Sequence, residues 1–434
     1  ALHLIGEVDN TRGNLDHALE VFEEASHSTG ELLSRAPNDG QRIFDHAQSV
    51  YWVGAVAFQR GQNDVAEKSF EEYKVLAERL VAIDPGKPEW QAEVGYAYTN
   101  LGTLLVKEGR SAEAAPAFER SLAISSALAK ATPDDAGLQL EEAQSRAWLA
   151  DAREKVGSFD AAREQRMAEL AIYASVLATD ANNNDARRGE LVARSALARL
   201  SAAKGRLPEA LEQLRIATTL ADSLMKTEPD NTLWTDIGAD VNAFYGEVAF
   251  RLTDPKLAGE AAARSCTLAH DLVKRDASVV RWRGFHLSRC QSLQAALAAQ
   301  AGNHAAALER SREVVARIDA LKPADREGDQ PIRWQLAAAL LAIGDECRAM
   351  QRTDDAREAW GRVVAVLGPE QQREDAAMQT ILATALLRLG RADEAAPIVA
   401  KWEHAGYAHP DFIAIKTEYH AATVADQRPS SPRH

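Results

Sequence analysis

Residues 84–129, DPGKPEWQAEVGYAYTNLGTLLVKEGRSAEAAPAFERSLAISSALA, decide how the chain folds. They read as two helices. Val94, Ala97, Tyr98, Leu101 and Leu105 recur at helical spacing, so the first helix is expected over about residues 89–107. Gly109 then supplies a left-handed residue that ends it. A second helix starts near Ser111 and carries Ala114, Phe118, Leu122 and Ile124 along one side. The small residue Gly102 lies where the two helices cross, with Ala114 opposite, so their backbones can approach closely.

The rest of the chain repeats this unit. Breakers fall at Gly13, Gly61, Gly109, Gly157, Gly205 and Thr253, each step being 48 residues. Five residues past them stand Ala18, Ala66, Ala114, Ala162, Ala210 and Ala258. The register then slips to Gly302, Gln351 and Gly390, followed by Ala307, Ala356 and Ala395. Twelve residues before each alanine is a small residue, from Gly6, Gly54 and Gly102 through Ala150, Ala198 and Gly246 to Ala295, Gly344 and Ala383. A fixed period of this kind marks a solenoid, in which each copy buries its apolar face against the next. Asp84-Pro85 and Glu228-Pro229 end second helices, because a residue before proline avoids the α region.

The totals agree with an all-α protein. The chain has 434 residues, 46% hydrophobic and only 6% aromatic, with a formal net charge of −14. That charge argues against a nucleic-acid ligand, which needs a basic stripe. No apolar run is long enough to span a bilayer, so no membrane partner is expected. Cys266, Cys290 and Cys347 are far apart and form no CxxC pair; they read as apolar fillers in a reducing, cytoplasmic compartment. The chain opens at Ala1 within what matches the middle of a first helix, so it is expected to be a fragment whose N-terminal part is absent.

The pattern resembles the tetratricopeptide repeat. The matching residues are Ile5-Gly6, Val53-Gly54, Leu101-Gly102, Tyr245-Gly246 and Ile343-Gly344, with the A-x3-F spacing of Ala18/Phe22, Ala66/Phe70 and Ala114/Phe118. The resemblance covers roughly residues 1–404 and implies a right-handed α-α superhelix of antiparallel helix pairs. The departure is a repeat of 48 residues where 34 is usual, so helices of roughly 18 to 22 residues are expected. About nine repeats would fill residues 1–418, the first truncated, and residues 419–434 would form a disordered tail. Long repeats with Trp90 and Trp234 after the turn look like the C-terminal arrays of proteobacterial multidomain signalling proteins.

Enzyme motifs are absent: no HExxH, P-loop, GxGxxG or nucleophile elbow, so no catalytic residue, metal or cofactor is expected. His286 and Cys290 form an i,i+4 pair, and Lys274, Arg275, Arg281, Arg283 and Arg289 a basic patch; solvated or buried structural roles compete with binding at both. The resemblance implies a concave groove lined by first helices. Its expected residues are Tyr51, Trp52, Phe58, Thr99, Asn100, Thr103, Lys107, Trp148, Asp151, Lys155, Arg199, Phe244, Glu247 and Arg251, with Asp345 beyond them. Trp52, Trp148 and Phe244 share one repeat position and are either exposed anchors or rings buried by the extra helical turns. Asn100 with Lys107 occupies places where family members clamp a carboxylate. Two functions remain open. One is a protein-interaction scaffold or sensor arm that takes a partner segment in its groove. The other is a regulatory domain that holds a small molecule or short peptide and controls a covalently linked N-terminal effector.

Overall fold

The computed structural model describes residues 2–368 and 375–426, with side chains to residue 421. Among these residues there are helices and turns and no strand. A first set of pairs comprises α1 (Leu2–Thr11) with α2 (Leu15–Arg35), α3 (Gly40–Gln59) with α4 (Asn63–Ile83), α5 (Pro88–Lys107) with α6 (Ser111–Ala131), and α7 (Ala136–Lys155) with α8 (Phe159–Thr179). Then come α9 (Asn184–Ala203) with α10 (Leu207–Thr227) and α11 (Thr232–Arg251) with α12 (Pro255–Arg275). A π-helical turn, Trp282–His286, leads into α13 (Leu287–Gln300), which pairs with α14 (His304–Asp319). A short α15 (Pro323–Gly328) precedes α16 (Gln330–Ala349), α17 (Thr353–Leu367), α18 (Ala376–Arg388), α19 (Ala392–His404) and α20 (Pro410–Asp426).

The long-repeat expectation holds: α3 to α12 are each 20 or 21 residues long. Gly13, Gly61, Gly109, Gly157, Gly205, Gly302 and Gly390 take the left-handed conformation, and Thr253 and Gln351 adopt it without being glycine. The start signal recurs too. Asp39, Asp135 and Asn231 each accept hydrogen bonds from the first backbone N–H groups of α3, α7 and α11. Asn183 does the same for Ala186.

The packing explains the small residues at the crossings. A Cβ on Gly102 would lie 2.6 Å from the Phe118 ring, and one on Gly54 2.7 Å from Phe70. Each glycine makes room for the aromatic of the second helix, and Phe22, Phe70 and Phe118 are buried there. Leu214 and Trp360 fill the same position in later repeats. Arg166 takes it in one repeat. It too is buried, and it reaches the carboxylates of Asp151 and Glu169 in place of a ring contact.

The helices divide into two compact units. The first is residues 1–156 with 164–187; the second is residues 157–163 with 188–434. In the first, every helix from α1 to α7 packs on the next, and α5 also touches α7. In the second, the first helices α11, α13, α16 and α18 are neighbours in turn, and α10, α12, α14, α17 and α19 back them. Helix α20 packs on α18 and α19 and runs to Asp426, past the tail boundary expected at residue 419; residues 427–434 lie outside the described residues.

One sequence expectation is overturned here. Cys266 of α12 and Cys290 of α13 form a disulfide, leaving Cys347 as a buried free thiol. The bond withdraws the argument for a reducing compartment that rested on unpaired cysteines. It also removes Cys290 from the i,i+4 pair with His286, whose Nε2 is 2.9 Å from Asp236.

Candidate functional site

In the first unit, the expected groove residues sit on α3, α5 and α7, and most already have partners. Trp52 stacks on Phe22 with ring centroids 5.1 Å apart, and Trp148 on Phe118 at 6.3 Å. Each tryptophan therefore lays one face on the core phenylalanine of the preceding second helix and is half-buried. Tyr51 leans on Tyr73, and burial followed by the nearby Glu93 raises its pKa. Glu93 accepts hydrogen bonds from Tyr73 and, at 2.7 Å, from Gln48. Burial nevertheless holds its carboxyl above the usual range.

The carboxylate-clamp positions are not assembled as a clamp. Lys107 places its Nζ 4.0 Å over the Phe58 ring and donates to the Phe58 carbonyl at 2.7 Å. Its charge is thus engaged by the C-terminal end of α3, while Asn100 stays half-buried on α5. Thr99 departs from the expectation of a groove-facing residue. It is buried against α6, its hydroxyl 2.8 Å from that of Ser121, because it lies on the side of α5 that meets its own second helix. Thr103 donates back to the Thr99 carbonyl at 2.9 Å. Asp151 is held by Arg166, and Lys155 is half-buried at the end of α7.

In the second unit the expected residues come closer to forming a site. Arg199 is exposed on α9. On α11, Phe244, Glu247 and Arg251 surround ionic contacts that the sequence left unpaired. Arg289, expected in a surface basic patch, is buried instead. It donates to both Glu247 oxygens at 2.7 Å and to Asp240 at 2.5 Å. Its guanidinium also lies over Trp334 at 5.1 Å and over Phe244 and Phe285, each at 5.7 Å. Burial disfavours that charge, but Glu247 and Asp240 outweigh burial and keep its pKa above the ordinary arginine value. Two more residues of the expected patch are engaged: Arg275 donates to the carbonyls of Pro229 and Asp230, and Arg281 lies over Phe285.

Below this cluster α11, α13, α14 and α16 enclose a cavity of about 220 Å³. Glu247, Phe250 and Arg251 line it from α11, and Arg289 and Ser292 from α13. Trp334, Gln335 and Glu346 line it from α16, over a floor of alanines that includes Ala307 of α14. The sequence marked Glu247 and Arg251, but it missed Ser292, Phe250 and Gln335. Ser292 and Phe250 stand three before and four after the small residues Ala295 and Gly246, the same offsets that Thr99 and Phe58 have from Gly102 and Gly54.

A clasp from residues 405–412 reaches α8, α9 and α11. Asp411 of α20 accepts from Arg251 at 3.2 Å (Nε) and 2.6 Å (Nη2), across 160 residues of sequence. Ala408 donates its backbone N–H to the Ala203 carbonyl at 2.7 Å. Tyr407 packs 5.6 Å from Phe159 and 5.3 Å from Phe412. Burial pushes the His409 imidazole, stacked on Tyr407, down to about 4. A Cβ on Gly157 would approach Ala405 to 2.6 Å, so the close fit of this segment depends on a breaker glycine. Asp345, the last expected groove residue, is 3.4 Å from both Arg348 and Arg388.

Among the described residues no group of three or more His, Cys, Asp or Glu side chains could hold a metal. No helix among them is long and apolar enough to cross a membrane.

Comparison with known proteins agrees with this architecture. Models of the tetratricopeptide repeat match residues 95–127, and residues 191–215 and 376–401. No curated protein matches the chain. The apo form of the quorum sensor NprR from B. thuringiensis is 13% identical, with a TM-score of 0.50 over 84% of this chain and 86% of that one. Aspartyl phosphate phosphatase F from Bacillus subtilis is 8% identical, with a TM-score of 0.51 over 77% of this chain and 73% of that one. At these identities the likeness is one of fold. With its helix pairs, its left-handed breakers and these three matched segments, the chain is built of tetratricopeptide-type repeats.

Proposed function

We propose that this chain is a non-catalytic binding array that takes a protein or peptide segment against its first helices. The observation that carries this reading is the second unit's first-helix face. There α11, α13 and α16 are neighbours and share a cavity whose lining on α11 and α13 falls largely at the repeat's groove positions. Such a face gives a partner both an apolar recess and a polar margin, which divides affinity from selectivity. The NprR neighbour is described as a quorum sensor, and at 13% identity that description stays with that protein. The phosphatase description belongs to the other neighbour, and an 8% likeness brings no chemistry with it.

The test is a footprint. Affinity capture followed by hydrogen exchange on the complex should show protection on α11, α13 and α16. Ala299→Arg, at the cavity edge, should abolish capture without lowering the melting temperature. Protection confined to the second helices α12, α14 and α17, or capture undiminished by Ala299→Arg, would reject the assignment.

A further inference from the structure

The segment that closes the second unit is itself a docked stretch of peptide, and its contacts show what the surface beneath it accepts. Residues 405–412 lie across the turns that follow α7 and α9. At Gly13, Gly61, Gly302 and Gly390 an added Cβ would meet nothing within 4 Å. At Gly157 it would lie 2.6 Å from the Ala405 Cβ, and at Gly205 2.9 Å from the Ala408 carbonyl oxygen, so these two breakers form a bare shelf under the segment. The Ala408 N–H donates to the Ala203 carbonyl, the Tyr407 ring packs on Phe159, and Asp411 takes the Arg251 guanidinium. Arg251 stands at a groove position and lines the cavity, so this surface continues the proposed groove. The hold is light. Of residues 410–421 in α20 only Phe412 and Ile415 are buried, and the Asp411 side chain is 50% exposed. Without Asp411, Arg251 would be a cation only 26% exposed, beside a Glu247 already committed to Arg289, and it would need a carboxylate from elsewhere.

We propose that residues 405–412 are an autoinhibitory latch, filling in cis a surface that takes a partner's aromatic side chain and, four residues on, its carboxylate. This rests on the groove reading above. The spacing is that of Tyr407 and Asp411. The partner's ring replaces Tyr407 on Phe159, and its carboxylate replaces Asp411 on Arg251. The backbone between them lies on the two glycines and gives one N–H to the Ala203 carbonyl. A tethered segment competes at the high effective concentration of an intramolecular contact, so the partner's apparent affinity falls with the fraction of molecules whose latch is open. A segment lacking the carboxylate is rejected, because it leaves Arg251 part-buried and unpaired.

The probe is a peptide of residues 406–414, GYAHPDFIA, acetylated and amidated so that its aspartate is the only carboxylate. Isothermal titration into the whole chain should show it binding the double variant Tyr407→Ser with Asp411→Asn, whose latch is emptied, at least tenfold tighter than wild type. The same peptide carrying Asp411→Asn should bind that variant at least tenfold weaker, and adding Arg251→Ala to the protein should abolish binding. If Tyr407→Ser unfolds the unit, Asp411→Asn alone, which keeps the ring contacts, should still bind the probe at least threefold tighter than wild type. Binding no tighter than wild type in these variants, or binding indifferent to Arg251→Ala or to loss of the peptide's carboxylate, would overturn the proposal. If the partner footprint falls on α11, α13 and α16 but capture is no stronger in Asp411→Asn, the groove reading stands and the latch is wrong. A footprint elsewhere with the peptide binding as expected has the reverse meaning.

Discussion

Removing the Cys266–Cys290 bond should cost the second unit about 3.5 kcal/mol. The two cysteines are 24 residues apart, and closing a loop of that length removes roughly 11 to 12 cal/mol/K of entropy from the unfolded chain, which at 25 °C gives that figure. For a unit of about 250 residues, each kcal/mol moves the melting temperature by roughly 2–4 °C, so a fall of about 7–14 °C is expected. The loss should be local. In a repeat array each copy touches only its neighbours, so α12 and α13 should lose exchange protection first. The variant to use is Cys266→Ala with Cys290→Ala. Both side chains are buried in an apolar cluster with Ala269 and Leu287, and alanine removes the cross-link while leaving no polar group behind. Calorimetry of wild type and double variant, with and without reductant, separates the bond from the packing. Denatured wild type without reductant should present one titratable thiol, Cys347, and three after reduction. Three thiols before reduction, or a double variant melting within 2 °C of wild type, would refute the reasoning.

Arg289→Ala should destabilise the second unit by about 3–5 kcal/mol, read from thermal unfolding, because it strands Glu247 and Asp240 beside an apolar cavity. Gly102→Ala should cost about 1–3 kcal/mol in the first unit, since its Cβ would lie 2.6 Å from Phe118. Gly259→Ala meets nothing within 4 Å inside α12 and should stabilise by up to about 1 kcal/mol, so denaturant melts of the two variants should move in opposite directions. The clasp should loosen on acidification. His409, which faces Asp411, Arg251 and Glu247, has its pKa pushed down to about 4 from an ordinary 6.5. Between those values the unfolded segment binds the extra proton, and stability falls with falling pH by no more than about 1.4 kcal/mol per unit. Asp411, whose carboxyl Arg251 holds below its ordinary value against the opposing effect of burial, keeps its contribution until lower pH. Hydrogen exchange at residues 405–412, corrected for intrinsic rates, should therefore rise between pH 6.5 and 5 in wild type and stay flat in His409→Gln.

Periodicity along the chain was enough to establish the helix pairs, their 20-residue length, the left-handed breakers and the close crossings. These are local properties. A glycine that must face a phenylalanine, or a breaker that must take positive φ, leaves the same mark in every copy, and repetition amplifies it. Groove membership was only partly legible, because an offset from Gly102 or Gly246 tells which side of a helix a residue occupies and not what lies against it. Thr99 is buried by Ser121, Lys107 is engaged by Phe58, and Trp52 and Trp148 are each half-covered by a core ring. The contacts that sequence reading missed join residues separated by 24 to 160 positions. Arg289 meets Glu247, Arg251 meets Asp411, and Cys266 meets Cys290. Such pairings depend on how successive repeats stack and where the chain's end returns. No single repeat carries that information, so the tertiary structure alone decided it.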